Sequence, residues 1–441
     1  MQTLPPYAGL RRYTPECVHQ LGRIRAALGR VAAARIWPAS AEALRFAAQV
    51  GTIHYSTLIE GNRLGVLEAE RAARHELDAQ TKGELELVNY VDALDLLDRR
   101  LEEDGLALSE ELFKALHYEV TKGLGTPEGP FMTHHEGEWR DGEAGVWDPL
   151  AAKMVHVGAP NHEVRPRMLG LAEWIRYAEE RTVEWPAAVI AGVVHYNVAE
   201  VHPFVDGNGR VARLLAAAVL MRNDLAPGRL FNFDAHYGTD KDRYLAALRS
   251  VRERTYNLES WMLYFLEGLA VEYERVAGEV DRLALVERSG LGSPLQLSEG
   301  QQRGITELLL RGVSEFTRRQ YEQVANVGGS VAARELRALA DAGIVDRIGE
   351  GSARRYRVVA ARSRSGWKGT GGRPRAWTDD RIERELRALV DGALTFPTIA
   401  QFDAVGARRL YDAIQRHGGS ASWAERLGIA PPERGRSSFS A

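Results

Sequence analysis

The sequence has a single cysteine, no excess of basic residues and no long apolar run, and each absence excludes a class of protein. Cys17 is the only cysteine among 441 residues, so no intramolecular disulfide can form and a reducing compartment is favoured. No run of about eighteen apolar residues offers a membrane span. Residues 1–6 lack the basic start of a signal peptide. We therefore expect a cytoplasmic protein that does not enter a membrane.

The composition is that of a folded protein with several cores. Hydrophobic residues make up 45% and charged residues 27%, and the formal net charge is −3. A chain of 441 residues exceeds one ordinary core, so about two to four domains are expected. Residues 1–105 have helical periodicity throughout, residues 106–288 follow as a second helical region, and a glycine-rich linker covers residues 289–296.

One stretch, residues 202–213, concentrates reactive side chains between two helical apolar segments, 187–201 and 214–221. Gly207 and Gly209 let a ligand approach the loop backbone closely. Asn208 suits a helix N-cap, and the free N–H groups of the following helix favour an anion. The sequence therefore predicts a helix, a tight anion-binding loop and a second helix.

The side chains in this stretch fit phosphate chemistry. Arg210 and Arg213 are three residues apart on one helix face, and guanidinium groups suit phosphate oxygens. Asp206 can ligate Mg²⁺, and His202 titrates near neutrality and can accept a proton. Each feature alone has a structural explanation, such as a helix-end histidine or a glycine turn. Together they indicate phosphoryl or nucleotidyl transfer.

In this order the residues resemble HxFx(D/E)GNGRxxR, the active-site motif of Fic proteins, at every fixed position. The resemblance implies a mainly α Fic helical bundle that transfers AMP from ATP, with Mg²⁺, to a Ser, Thr or Tyr hydroxyl of a target protein or of itself. His202 would be the base, Phe204 a core anchor and Asp206 the metal ligand. The implied nucleotide-binding residues are Gly207, Asn208, Gly209, Arg210 and Arg213, joined by Tyr237 and Tyr244 where Fic proteins close over the adenine.

A second short pattern lies upstream, in a helical segment predicted at about 41–61. Gly61 and Asn62 suit the end of a helix. Ser56 and Glu60 also match (S/T)xxxE(G/N), which in Fic proteins marks an inhibitory helix. There the glutamate pairs with the second motif arginine, here Arg213, and prevents productive seating of the ATP γ-phosphate. A carboxylate in that position would compete for the guanidinium and repel a triphosphate.

The segment between the two patterns contains the only convincing strands in this half of the sequence. β-branched runs on either side of residues 148–152 predict a hairpin. It resembles the flap by which Fic proteins hold an extended target segment, and residues 137–140 match the GxxR element that precedes the flap. His134, His135, His156 and His162 lack zinc-site spacing and are interpreted as surface or loop residues. His195 is interpreted as a packed core histidine.

The last third of the chain has the sequence features of a DNA-binding segment. Residues 297–360 show three short helices and a hairpin, which resemble a winged helix-turn-helix (α+β) of bacterial regulators. Seven arginines, one lysine and no acidic residue lie between Gly351 and Thr378, a balance that suits a phosphate backbone. Residues 361–376 form a basic linker, residues 377–430 a small helical domain similar to repeats in DNA-acting proteins, and residues 431–441 a tail expected to be disordered. A protein-binding winged helix is the alternative.

Three other functions stay open. Phosphotransferases of the family carry a lysine in place of Gly209, so the glycine here favours AMP transfer. Removal of AMP from a modified target would use the same Glu60. A DNA-binding regulator on a silent Fic scaffold is the alternative from another class. Autoinhibited relatives often dimerise, so a homodimer is also compatible with the resemblance.

Overall fold

The computed structural model forms two compact units, Met1–Ser363 and Arg364–Ala441. No helix among its described residues is long and apolar enough to cross a bilayer. The described residues are 13–125, 136–148, 153–253, 257–290, 297–349, 354–359, 382–383, 386, 396 and 408–427.

The first unit is mainly helical, which confirms the mainly α part of the predicted fold class. Its helices up to residue 290 are Pro15–Ala33 (α1), Pro38–Ile59 (α2), Val66–Ala73 (α3), Lys82–Asp104 (α4), Glu110–Thr121 (α5), Asn161–Glu179 (α6), Ala187–Val201 (α7), Asn208–Arg222 (α8), Asp234–Thr239 (α9), Lys241–Glu253 (α10) and Glu259–Gly290 (α11). The predicted helix at 187–201 matches α7, whereas the short α3 has too few apolar positions to show periodicity.

Helices α7 and α8 form the centre of this bundle. In both, buried residues occur on most sides of the helix. Helices that are apolar all round must be surrounded by other elements. The connecting loop at residues 202–207 lies at the ends of these two helices, with Phe204 buried and Val205 and Asp206 exposed.

A two-stranded antiparallel hairpin, Gly145–Asp148 (β1) and Lys153–Val157 (β2), lies between α5 and α6, as predicted. The pairing shifts register between Val146 and Trp147. At its base, Gly158 donates its N–H to the Ala144 carbonyl at 2.8 Å.

Residues 297–359 build a smaller core within the same unit. The elements are helices Glu299–Leu310 (α12), Arg318–Ala325 (α13) and Gly329–Asp341 (α14), with strands Glu315–Phe316 (β3), Val345–Ile348 (β4) and Arg355–Val358 (β5) in the order β3-β5-β4. β3, two residues long, carries no sequence signal. Trp37 of the segment before α2 packs against this core, and the buried hydroxyls of Ser40 and Thr306 are hydrogen-bonded at 2.6 Å.

In the second unit, helices Arg408–Arg416 (α15) and Gly419–Leu427 (α16) pack around the fully buried Trp423. Both helices lie within the small helical domain predicted at 377–430. The basic linker at 361–376 and the tail at 431–441 lie outside the described residues, as does most of residues 377–407.

Candidate functional site

The loop between α7 and α8 owes its shape to two left-handed residues and one amide side chain. His202 caps α7 with φ 53°, and Gly207 precedes α8 with φ 74°. Gly207, not Asn208 as predicted, is therefore the N-cap of α8. The Asn208 side chain instead donates to the Phe204 carbonyl at 2.9 Å and accepts from the Phe204 N–H at 2.8 Å. Asn208 thus closes the loop upon itself.

Arg140 fixes the backbone of His202 from outside the loop. Its buried guanidinium donates to the His202 carbonyl at 2.7 Å and also to the Ala159 carbonyl. The backbone N–H of Arg140 donates to the Pro203 carbonyl. Gly158 makes this approach possible, because a Cβ there would lie 2.9 Å from His202 Cβ. The GxxR element therefore connects the hairpin base to the loop.

The electrostatic environment of His202 favours a neutral imidazole. Burial lowers the pKa of His202, and the charge of Arg140 acts in the same direction. His156 of β2 packs edge-on against it, with ring centroids 5.4 Å apart. Burial lowers the pKa of His156 to about 3, helped by Arg252 and His202. The interpretation of His156 as a surface or loop residue is wrong, since it lies on a strand against the site.

Phe204 is a core anchor, as predicted, and it stacks on a residue that the sequence did not indicate. The His117 ring is parallel to Phe204 at 3.8 Å, and Trp139 packs at 4.9 Å. Gly137 donates its N–H to His117 Nδ1 at 2.9 Å, so Nε2 carries the proton and donates to the Asp206 carbonyl at 3.1 Å. His117 therefore holds the middle of the loop.

Asp206 presents one carboxylate to solvent at this loop. Its Oδ1 accepts from the Gly207 N–H at 2.7 Å, and its Oδ2 lies 3.4 Å from Arg210 Nη2. Arg210 is buried and also donates to the Val120 carbonyl. The described residues contain no group of three or more His, Cys, Asp or Glu side chains that could hold a metal. One exposed carboxylate fits Mg²⁺, which keeps waters and takes further oxygens from phosphates.

Arg213 is the most enclosed charge of the site. Its side chain is 1% exposed, and its Nε donates to Ser56 Oγ at 2.8 Å. Nη2 donates to the Ser56 carbonyl and to Glu60 Oε1, both at 2.8 Å. Nη1 is buried without a hydrogen-bond partner. The last turn of α2 thus occupies one side of the guanidinium and leaves one N–H group unused.

Gly209 lets Glu60 come this close. A Cβ at this position would lie 2.3 Å from Glu60 Oε1 and 3.2 Å from Arg213 Nη1. The carboxylate therefore lies directly over the first turn of α8, where exposed N–H groups favour an anion. Gly61, with φ 100°, ends α2 immediately after Glu60.

A second carboxylate, Asp234 of α9, lies behind Arg213. Its Oδ1 is 3.9 Å from Arg213 Nε, and its Oδ2 accepts from the Tyr90 hydroxyl at 3.3 Å. Burial raises the pKa of Asp234 to about 6, against the opposing charge of Arg213.

A cavity of about 240 Å³ brings most of the predicted residues together. Its lining includes His202, Asn208, Gly209, Arg213, Tyr244 and Glu60. Asp206, Gly207 and Arg210 lie in the adjoining loop and turn. Tyr237 is buried against Tyr244, with ring centroids 5.0 Å apart, and does not line this cavity. Tyr244 is hydrogen-bonded to His195 at 2.9 Å, which agrees with a packed core histidine.

Four residues of this site have no predicted functional role: Arg140, His117, His156 and Asp234. Of these, only Arg140 lay in a recognised pattern, the GxxR element. The other three come from separate elements, and no local spacing connects them to the loop.

Residues 107–220 match the Fic/DOC family. The chain is 36% identical over 90 residues to the protein adenylyltransferase fic-1 of Caenorhabditis briggsae, covering 18% of this chain and 17% of that protein. It is 36% identical over 86 residues to a Fido domain-containing protein of Dictyostelium discoideum, covering 20% of this chain and 55% of that protein. The crystal structure of a Fic family protein from Desulfovibrio desulfuricans has a similar fold, with TM-score 0.53, 19% identity and coverage of 84% and 100% of the two chains.

The matched part of the chain spans about a sixth of the length of the Caenorhabditis protein and about half of the length of the Dictyostelium protein. The family match covers residues 107–220, which include the loop at 202–213, and the structural likeness concerns the fold alone.

Proposed function

We propose that this chain, whose residues 107–220 match the Fic/DOC family, is a protein adenylyltransferase held inactive by Glu60. The observation that carries the proposal is the cavity at which a histidine of lowered pKa, the start of a helix and a buried arginine meet. The substrates would be ATP and a Ser, Thr or Tyr hydroxyl of a target protein or of the chain itself.

In the proposed reaction, His202 accepts the proton of the acceptor hydroxyl. The hydroxyl oxygen forms a bond to the α-phosphorus of ATP while the bond to the pyrophosphate oxygen breaks, so AMP is transferred and pyrophosphate leaves. The N–H groups at the start of α8 and the guanidinium of Arg210 would hold the phosphates. Catalysis would then consist mostly of positioning and charge stabilisation.

Asp206 is the residue that would hold Mg²⁺, and the ion would neutralise phosphate charge when bound. His117 fixes the Asp206 carbonyl, and Gly207 fixes one carboxylate oxygen. These two contacts would keep the second oxygen directed toward the nucleotide.

The contact between Glu60 and Arg213 supports an inhibited resting state. Glu60 Oε1 occupies Arg213 Nη2 at 2.8 Å and covers Gly209, so a γ-phosphate could not reach the guanidinium. The two negative groups would also repel each other at short distance. Release of Glu60 would therefore precede productive ATP binding.

The β1–β2 hairpin would hold the target. Its base is attached to the catalytic loop through Arg140 and Gly158, so an added strand would be aligned relative to His202.

The test is intact-mass measurement after incubation with ATP and Mg²⁺, using wild type, Glu60→Gly and Glu60→Gly/His202→Ala. We expect a gain of AMP in Glu60→Gly, little in wild type and none in the double variant. A gain of phosphate instead would indicate phosphotransfer. No gain, combined with release of AMP from a modified substrate, would indicate AMP removal and refute the proposal.

An arginine-lined groove supports duplex DNA binding as a second proposed function, which would belong to residues 297–359. The helices and the sheet of these residues suit the predicted winged helix. A groove of about 670 Å³ is lined by Arg318, Arg319, Arg337, Arg347 and Arg354. Arg318 and Arg347 pair with Glu322 and Asp341, whereas the other three form no ion pair among the described residues. Unpaired arginines along a groove suit phosphate contacts through counterion release.

This second function is tested by fluorescence anisotropy with a labelled duplex over a range of salt concentrations. Arg319→Ala/Arg337→Ala should weaken binding and reduce the slope of log K against log salt by about 0.9 per lost contact. Arg303→Ala, an exposed arginine of α12 that does not line the groove, is the matched control. Absence of salt-sensitive binding by wild type would refute the DNA function and leave the transferase proposal intact.

A further inference from the structure

We propose that Asp234 is a positioning residue that keeps the Arg213 guanidinium directed at the terminal phosphate of ATP once Glu60 has left it. The proposal rests on the adenylyltransferase function above. Asp234 belongs to neither of the two patterns that define the predicted site.

The guanidinium of Arg213 is held along two different edges. The Nε edge faces Ser56 Oγ at 2.8 Å and Asp234 Oδ1 at 3.9 Å. Nη2 donates to the Ser56 carbonyl and, at the opposite end, to Glu60. Nη1 has no hydrogen-bond partner and lies beside Gly209. An arginine fork binds phosphate with two N–H groups, so an anchored Nε edge presents the other end to the ligand.

The carboxylates of Glu60 and Asp234 differ in their exposure to solvent. The Glu60 side chain is 32% exposed at the end of α2, whereas that of Asp234 is 7% exposed behind the arginine. A phosphate that enters over Gly209 after Glu60 has left would take the place of the Glu60 carboxylate. Asp234 lies on the far side and keeps its contact with Arg213 and with the Tyr90 hydroxyl.

The need of Arg213 for a counter-charge also supports a role for Asp234. Arg213 is almost fully buried, and a buried charge requires a counter-charge. When Glu60 withdraws and before phosphate arrives, Asp234 is the acidic group that remains paired with Arg213 among the described residues. The pKa of Asp234, raised to about 6, leaves it ionised at neutral pH.

The test measures nucleotide binding without turnover, by calorimetry of Glu60→Gly/His202→Ala with ATP or ADP in the presence of Mg²⁺. Adding Asp234→Asn should weaken ATP binding about tenfold and ADP binding less than about twofold, since only ATP carries the phosphate that Arg213 would hold. Tyr90→Phe, which removes one hydrogen bond but keeps the carboxylate, should have a smaller effect on ATP. Thermal unfolding of each variant checks that it is folded.

An equal loss for ATP and ADP would assign Asp234 a structural role and overturn the proposal, as would unchanged binding of both nucleotides. If the starting double variant binds neither nucleotide, the transferase function itself fails, and the role of Asp234 fails with it. The ATP-to-ADP ratio therefore separates the two proposals.

Discussion

Replacing Glu60 by glutamine and by glycine gives a graded test of the proposed inhibition. Glutamine keeps an oxygen that can accept from Arg213 Nη2 but removes the negative charge. Glycine removes both. If the carboxylate restrains Arg213 and repels phosphate, ATP affinity should increase from wild type through Glu60→Gln to Glu60→Gly.

The size of the effect follows from the contact itself. A hydrogen bond between charged groups contributes about 1.5–3 kcal/mol, and a side chain that is 32% exposed belongs toward the lower end. A loss of about 1.5–2 kcal/mol changes an equilibrium by about 10- to 30-fold. The amide oxygen of glutamine still accepts from the guanidinium but lacks the full negative charge. If it keeps about half of the energy, Glu60→Gln should give about 3- to 5-fold.

The assay is ATP titration by calorimetry in a His202→Ala background, with intact-mass rates measured in parallel without that change. Glu102→Gln, at an exposed glutamate of α4, controls for the loss of one negative charge elsewhere. Equal ATP affinity in wild type and both Glu60 variants would refute the reasoning, because the contact would then not compete with the nucleotide.

Three further predictions concern the loop. The pKa of His202 lies below its usual value, so the imidazole stays neutral as the pH falls toward that value. The acidic limb of the pH profile of kcat/KM for Glu60→Gly should therefore lie below about pH 6.5. An acidic limb above pH 6.5 would contradict this prediction. Asn208→Ala leaves the buried N–H and C=O of Phe204 unpaired and should cost about 2–4 kcal/mol in urea unfolding, whereas a loss below about 0.5 kcal/mol would show that the loop does not depend on it. Gly209→Ala should destabilise wild type more than Glu60→Gly, because only the clash of its Cβ with Glu60 is removed and the contact with Arg213 Nη1 remains. The same loss in both backgrounds would exclude the clash with Glu60.

The sequence predicted the parts of this protein that are encoded locally. The apolar segments of α7 and α8 and the glycines of the loop lie next to one another, so their spacing indicated a helix, a loop and a helix. Glu60 could be connected to Arg213 only through the family resemblance, and the structure then placed the two in contact at 2.8 Å.

The remaining site residues depend on packing between distant elements. His117 reaches the loop from α5, and Asp234 reaches Arg213 from α9, across sequence separations that no periodicity reports. Asn208 was misassigned because its amide suits an N-cap equally well, whereas the positive φ of Gly207 moved the cap by one residue. Local propensity could not distinguish the two arrangements.

Helix α2 is attached at both ends. Near its start, the Ser40 hydroxyl is hydrogen-bonded to the hydroxyl of Thr306 of α12. At its last turn, Ser56 and Glu60 accept hydrogen bonds from Arg213. Its 22 residues span about 33 Å as one continuous hydrogen-bonded rod. Glu60 cannot withdraw by sliding of the rod unless the buried Ser40–Thr306 pair also breaks. We therefore expect Arg213 to be freed by rotation of the Glu60 side chain or by unwinding of the final turn at Gly61.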